Sequence, residues 1–80
     1  LMKYPKLISV STDKNFFLFL KYDNGENKKY DFSPNFAHPF YKPLENQQLF
    51  SQVSVIDGEL EWKTGQDFCP FTLYENSISY

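Results

Sequence analysis

The residues able to do chemistry are few. The 80-residue sequence holds one histidine, His38, and one cysteine, Cys69. A catalytic histidine needs an orienting carboxylate or a nucleophile beside it, and a zinc site needs three or four ligands. His38 precedes Pro39 and Cys69 precedes Pro70, in separate loop-like stretches, so neither requirement is met by the pair. His38 therefore reads as a solvated or hydrogen-bonded side chain. A reactive thiol would require a helix N-terminus or a cation to lower its pKa. Cys69 stands at a possible helix start, yet the commoner role of such a residue is a small buried thiol. Asp31 and Asp67 sit where a strand or turn gives way to a loop. Paired carboxylates can exchange protons, but at such positions Asp more often accepts backbone N–H bonds and fixes a turn. No glycine-rich phosphate loop is present. The expectation is a non-enzymatic protein without cofactor or metal.

Charge narrows the partners. Eight lysines, no arginine and ten acids leave a net charge of −2. A nucleic-acid binder that works by charge carries a basic surface. Lys28 and Lys29 are a weak cue in that direction, and Glu26, Asp31, Glu59 and Glu61 oppose it. Nine Phe, six Tyr and one Trp are far too many aromatics for a disordered chain. They suit a small core that has no disulfide or metal to reinforce it, because each ring can bury about 150–250 Å². The longest apolar run is Phe16–Leu20, too short to span a membrane. No secretory signal is evident, which together with a lone cysteine points to the cytoplasm. Leu1 ahead of Met2 reads as an addition before the natural start.

The elements that must position these residues form one domain over residues 1–80. Strand one is expected over Leu7, Ile8 and Val10, ending near Thr12. Asp13-Lys14-Asn15 is a turn cluster. Phe16 to Tyr22 forms strand two, apolar on both faces. Asn24-Gly25 predicts a type I′ hairpin turn with φ > 0 at both residues. Strand three follows over Lys28–Phe32, with Tyr30 and Phe32 on one face and Lys29 and Asp31 on the other. Ser33–Pro43 carries three prolines and reads as a loop. Glu45 or Asn46 caps a short helix bearing Leu49 and Phe50. Val53 and Val55 form strand four, Asp57-Gly58 a tight turn, and Glu59–Lys63 strand five. Pro70 interrupts Phe68–Glu75, leaving a helical turn over Thr72–Tyr74. The result is an α+β fold, a small antiparallel hairpin-rich sheet (β-β-β-α-β-β) with one short helix on one face. The expected inward face holds Ile8, Val10, Leu18, Leu20, Tyr22, Tyr30, Phe32, Leu49, Phe50, Val53, Val55, Leu60, Trp62 and Leu73.

Three stretches together resemble a family of small bacterial proteins, the domain-of-unknown-function family 2442. They are Tyr4-Pro5-Lys6-Leu7-Ile8-Ser9-Val10, Tyr22-Asp23-Asn24-Gly25-Glu26 leading into Tyr30-Asp31-Phe32-Ser33-Pro34, and Trp62-Lys63-Thr64-Gly65-Gln66-Asp67-Phe68-Cys69-Pro70 with Leu73-Tyr74-Glu75. The resemblance covers nearly the whole chain, and it is the order and spacing of the motifs that make it specific. It implies a compact α+β domain and no known activity. It also implies gene neighbourhoods resembling toxin–antitoxin pairs. Some relatives carry a C-terminal helix-turn-helix domain, which has no counterpart here, so DNA binding through it is not carried over. Lys63-Thr64, Phe71 and Pro39 depart from the family pattern and suggest a specialised, mobile-element-borne member.

Two functions follow as expectations. The first is a protein-binding module, an antitoxin-like partner of a small bacterial toxin. The alternative is a phage-encoded inhibitor of a host defence complex, anti-CRISPR-like. Strand parity places the partner site. If Leu18, Leu20 and Tyr22 point inward, then Phe17, Phe19 and Lys21 point outward, beside Lys29 and Asp31 of strand three and Glu59 and Glu61 of strand five. One short helix can cover only one face. Phe17, Phe19, Lys21, Lys29 and Phe71 are therefore the candidate partner-binding residues, with Phe71 either extending the patch or lying apart. A terminal segment carrying Tyr4 or Tyr80, or a homodimer, would be the other ways to cover these rings.

Overall fold

A computed structural model describes residues 4–80. The reading of Leu1 and Met2 lies outside the described residues. The fold is α+β. Its strands are β1 (Leu7–Thr12), β2 (Phe17–Tyr22), β3 (Asn27–Asp31), β4 (Val53–Ile56), β5 (Glu59–Trp62), β6 (Asp67–Phe68) and β7 (Ile78–Ser79). They form two antiparallel sheets, one four-stranded in the order β1-β2-β3-β7 and one three-stranded in the order β4-β5-β6. Two short helices, α1 (Gln47–Phe50) and α2 (Pro70–Asn76), and 3-10 turns over Ser33–Ala37 and Lys42–Glu45 complete the chain. Asn46 caps α1 as expected, its side chain accepting from the Leu49 amide at 3.1 Å. Pro70 starts a helix where the sequence suggested an interruption. It occupies the first turn of α2, where its missing N–H costs no intrahelical bond.

Three hairpins share one turn geometry. The Gly25 amide donates to the Tyr22 carbonyl (3.0 Å) and Tyr22 N–H to Glu26 O (3.0 Å). Gly25 has φ +90°, whereas Asn24 is not in the left-handed region. This is a type I turn followed by a left-handed bulge residue, which corrects the expected type I′ turn. Trp62–Gln66 repeats it with Gly65, and Asp13–Phe17 repeats it with Phe16 in the left-handed position at φ +65°. The Asp13 carboxylate fixes that last turn, accepting from the Asn15 and Phe17 amides. The type I′ turn falls instead at Asp57-Gly58, where both φ values are positive. A side chain at 58 would also meet the Lys6 methylenes at 3.1 Å.

The inward faces of both sheets enclose one aromatic core. Phe32 is its hub, with ring centroids 5.1 Å from Trp62, 5.3 Å from Tyr41, 5.4 Å from Phe68 and 5.7 Å from both Phe36 and Phe50. Trp62 is fully buried, and its indole N–H donates to the Phe50 carbonyl at 2.9 Å. The expected inward residues are buried or packed on the core with one exception. Leu7 pairs with Tyr22 and Ser9 with Lys21, so Ile8 is an extra residue in a β-bulge. Leu7 takes the buried place, and Ile8 is turned out at 55% exposure.

Candidate functional site

The residues first suspected of chemistry are used structurally or stand alone. His38 is exposed, and its Nδ1 accepts from the Phe40 amide at 3.2 Å. The Asp31 carboxylate accepts from the Ser33 amide (3.0 Å) and hydroxyl (2.7 Å), fixing the turn as expected. Asp67 differs, since it is held through its backbone, the carbonyl accepting from the Tyr41 hydroxyl at 2.8 Å. Cys69 is exposed, which corrects the buried-thiol reading. It stands at the N-cap position of α2, where the Thr72 amide and hydroxyl hold its thiol below the ordinary pKa against partial desolvation and the Glu59 charge. Among the described residues, no group of three or more His, Cys, Asp or Glu side chains could hold a metal ion. No helix of the described residues is long and apolar enough to cross a membrane.

The lysine pair is divided between two faces. Lys28 points inward and is buried, its ammonium donating to the Tyr74 carbonyl (2.9 Å) and lying 3.8 Å above the Tyr74 ring. Tyr74 donates its hydroxyl to Glu26 (2.6 Å), which also accepts from the Asn24 amide group (2.6 Å). Those two bonds, Asn24 first and then Tyr74, hold the Glu26 carboxyl below its usual pKa. Tyr22 lies beneath this cluster. Burial is the main cause that pushes its hydroxyl up to about 12. The neighbouring Ser77 hydroxyl is committed to the Tyr74 carbonyl (3.1 Å), and Tyr22 Oη forms no hydrogen bond among the described residues. Sequence parity places Lys28 on the inward face; only the structure reveals the carbonyl and ring that receive it.

The outward face of the four-stranded sheet gathers most of the expected partner residues. Phe17 and Phe19 stack at 6.3 Å and 28°, both half-buried. Phe17 pairs across the ladder with Asp31, Phe19 with Lys29 and Ser11, and Lys29 with Ile78. Lys21 is exposed at one end, with Asn27 opposite and the bulged Ile8 beside its partner Ser9. The C-terminal segment reaches this face as foreseen for Tyr80, whose ring meets Phe19 edge-on at 5.9 Å. It replaces one apolar surface with another, because Ile78 and Tyr80 are themselves 63% and 64% exposed. Ile8, Ile78 and Tyr80 are the most exposed large apolar side chains of the described residues; Tyr80 meets Phe19, Ile78 lies across Lys29 from it, and Ile8 precedes Ser9 at the Lys21 end.

Phe71 lies apart from this patch. It is on α2, which packs against the inward side of the same sheet through Leu73 and through Tyr74 on Tyr22. Its ring meets Tyr4 at 5.9 Å, and Tyr4 also lies on Tyr74. Beside them an open groove of about 280 Å³ is lined by Tyr4, Pro5, Lys6, Asp57, Gly58, Glu59 and Pro70. Glu59 and Glu61, expected to share a face with the phenylalanines, lie on the outward face of the separate three-stranded sheet.

Comparison with known proteins gives one match. The model of the family described as "Protein of unknown function (DUF2442)" matches residues 7–79. No curated protein and no solved structure matches the chain.

Proposed function

The chain belongs to the DUF2442 family, matched over residues 7–79, and from that premise we propose that it is a non-enzymatic protein-binding module, an antitoxin-like partner of a small bacterial toxin acting in the cytoplasm. The single observation that supports this is the outward face of β1-β2-β3-β7. There, the stacked Phe17–Phe19 pair and the exposed Tyr80 against it form an apolar centre, flanked by Lys21, Lys29 and Asp31, with the exposed Ile78 beyond Lys29 and the exposed Ile8 beyond the Ser9–Lys21 pair. An apolar centre with a charged rim is the composition of a protein interface rather than of a solvated sheet face. The remaining candidate, Phe71, is not assigned to this site, because α2 carries it on the other side of the sheet.

The test is affinity capture from a native host lysate with the parent and the Phe17→Ser, Phe19→Ser variant, with the captured protein identified by mass spectrometry. Both rings lie outside the core cluster. The variant is expected to keep the parent's circular dichroism spectrum and to lose the captured partner. A folded variant that retains the partner would move the site elsewhere, and a variant that unfolds would make these rings part of the folding core.

A further inference from the structure

Asn24 is the only asparagine of the chain followed by glycine. In such a pair the glycine nitrogen can attack the labile side-chain amide of the asparagine, because no side chain shields that nitrogen. Asn24 and Gly25 are exposed, and a Cβ at Gly25 would meet nothing within 4 Å. The β2–β3 turn nevertheless engages every atom that the reaction must free. The Gly25 N–H, the nucleophile, donates to the Tyr22 carbonyl at 3.0 Å. Asn24 Oδ1 accepts from the Glu26 amide at 3.0 Å, and Nδ2, the leaving group, donates to the Glu26 carboxylate at 2.6 Å. That carboxylate also accepts from the Tyr74 hydroxyl of α2 at 2.6 Å.

We propose that Asn24 is a site of spontaneous self-modification, and that Tyr74 guards it through Glu26, so that its rate of conversion depends on how α2 is seated. In the reaction the Gly25 nitrogen gives its proton to solvent and bonds to Asn24 Cγ. The Cγ–Nδ2 bond breaks, and Nδ2 takes up a proton and leaves as ammonia. Water then opens the resulting five-membered imide at either carbonyl, leaving an aspartyl or an isoaspartyl residue at position 24. Attack sacrifices the Gly25–Tyr22 bond, and departure of Nδ2 sacrifices its bond to Glu26. Glu26 opposes both events. It holds the two ends of the side-chain amide, and its negative charge lies beside the oxyanion that attack creates. The Tyr74 hydroxyl keeps the carboxylate in that place. Conversion reverses the contact. A carboxylate at position 24 cannot donate to Glu26, and two like charges then face each other. The isoaspartyl form also adds a backbone methylene to the turn. Either product loosens the end of the β2–β3 hairpin, where Lys21 pairs with Asn27.

Peptide mapping by mass spectrometry during incubation at mildly alkaline pH tests the idea, reading the mass gain and the isoaspartyl linkage at position 24. The folded parent should convert more slowly than the same chain unfolded in guanidinium chloride. Tyr74→Phe keeps the ring over Lys28 and loses only the hydroxyl. Glu26→Gln keeps an acceptor for Asn24 and loses the charge. Each should convert roughly two- to tenfold faster than the parent, the factor expected for one hydrogen bond, with an unchanged circular dichroism spectrum. Phe16→Ala, at the opposite end of β2, controls for general destabilisation and should convert at the parent's rate. Should Tyr74→Phe fail to fold, Glu26→Gln carries the comparison. A folded parent that converts as fast as the unfolded chain, an asparagine elsewhere converting first, folded variants no faster than the parent, or Phe16→Ala as fast as Tyr74→Phe would overturn the proposal. The readout needs no partner, so its outcome is independent of the capture experiment above.

Discussion

Phe16 occupies a backbone conformation that glycine usually fills, and that makes a sign reversal measurable. Its φ of +65° closes the Asp13–Phe17 turn, while its ring packs edge-on against Phe36 and Phe50 at 5.0 and 5.2 Å. Phe16→Ala and Phe16→Gly both remove the ring. Since the residue is half-buried, that loss is about half of the ~3–5 kcal/mol for truncating a buried aromatic, or about 2 kcal/mol. The two variants differ only in the backbone. Alanine retains the cost of the left-handed region, about 1–2 kcal/mol. Glycine removes it but adds about 0.5–1 kcal/mol of conformational entropy. Phe16→Gly should therefore be the more stable by about 0.5–1 kcal/mol, or roughly 2–8 °C in Tm for a domain of this size. The neighbouring Phe17, on extended backbone, is the control, and there Ala should exceed Gly. Urea unfolding of the four variants, followed by Trp62 fluorescence, measures both signs. Phe16→Ala equal to or more stable than Phe16→Gly would refute the reasoning, since the turn would then not demand a left-handed residue.

Trp62→Ala should be unfolded or molten at 25 °C. Truncation of a buried aromatic costs about 3–5 kcal/mol, a large share of the roughly 4–12 kcal/mol available to 80 residues, and it also removes the indole that bonds the Phe50 carbonyl; a cooperative near-UV melt would contradict this. Gly25→Val should lower Tm by several degrees through the same left-handed requirement, about 1–2 kcal/mol, and an unchanged melt would contradict the turn geometry. Tyr74→Phe should raise the Glu26 pKa toward its ordinary value without fully restoring it, because the Asn24 bond remains, and side-chain carbon NMR titration reads this directly. The sign for stability follows. A carboxyl held low in the folded state contributes stability above its unfolded pKa, which is lost as pH falls through the folded pKa. The parent should thus lose more stability on acidification through that window than Tyr74→Phe, and equal losses would show that the bond does not act on Glu26.

The sequence was most informative where side chains alternate without interruption. Leu18, Leu20, Tyr22 against Phe17, Phe19, Lys21, and Leu60, Trp62 against Glu59, Glu61, take the faces their parity assigns, and Asn46 caps its helix. It was least informative where one residue changes the count. The bulge at Ile8 exchanges Leu7 for Ile8 in the core, and nothing in Leu-Ile-Ser-Val marks which residue is extra. Phe36 and Leu44 are buried from a proline-rich stretch with no periodicity, because 3-10 turns of five and four residues carry no repeating apolar signal. The Asn-Gly pair signals a hairpin correctly but not its type, since a type I turn with a bulge and a type I′ turn both accept glycine. For the candidate site, parity brings Phe17, Phe19, Lys21 and Lys29 together, whereas Ile78 and Tyr80 join them through a pairing of β3 with the distant end of the chain.

That β3–β7 pairing also bears on the order of folding. Every other strand pair is closed by a turn of two or three residues or a short loop, so β1-β2-β3 and β4-β5-β6 can each zip locally at small entropic cost. The ladder of Lys28 with Ser79 and Lys29 with Ile78, by contrast, brings together strands separated by most of the chain, for two residue pairs in return. Two meanders forming early and meeting over Phe32 and Trp62, with the C-terminal strand adding last, is the sequence of events this connectivity favours. Substitutions at Ile78 and Ser79 would then speed unfolding while leaving the refolding rate nearly unchanged.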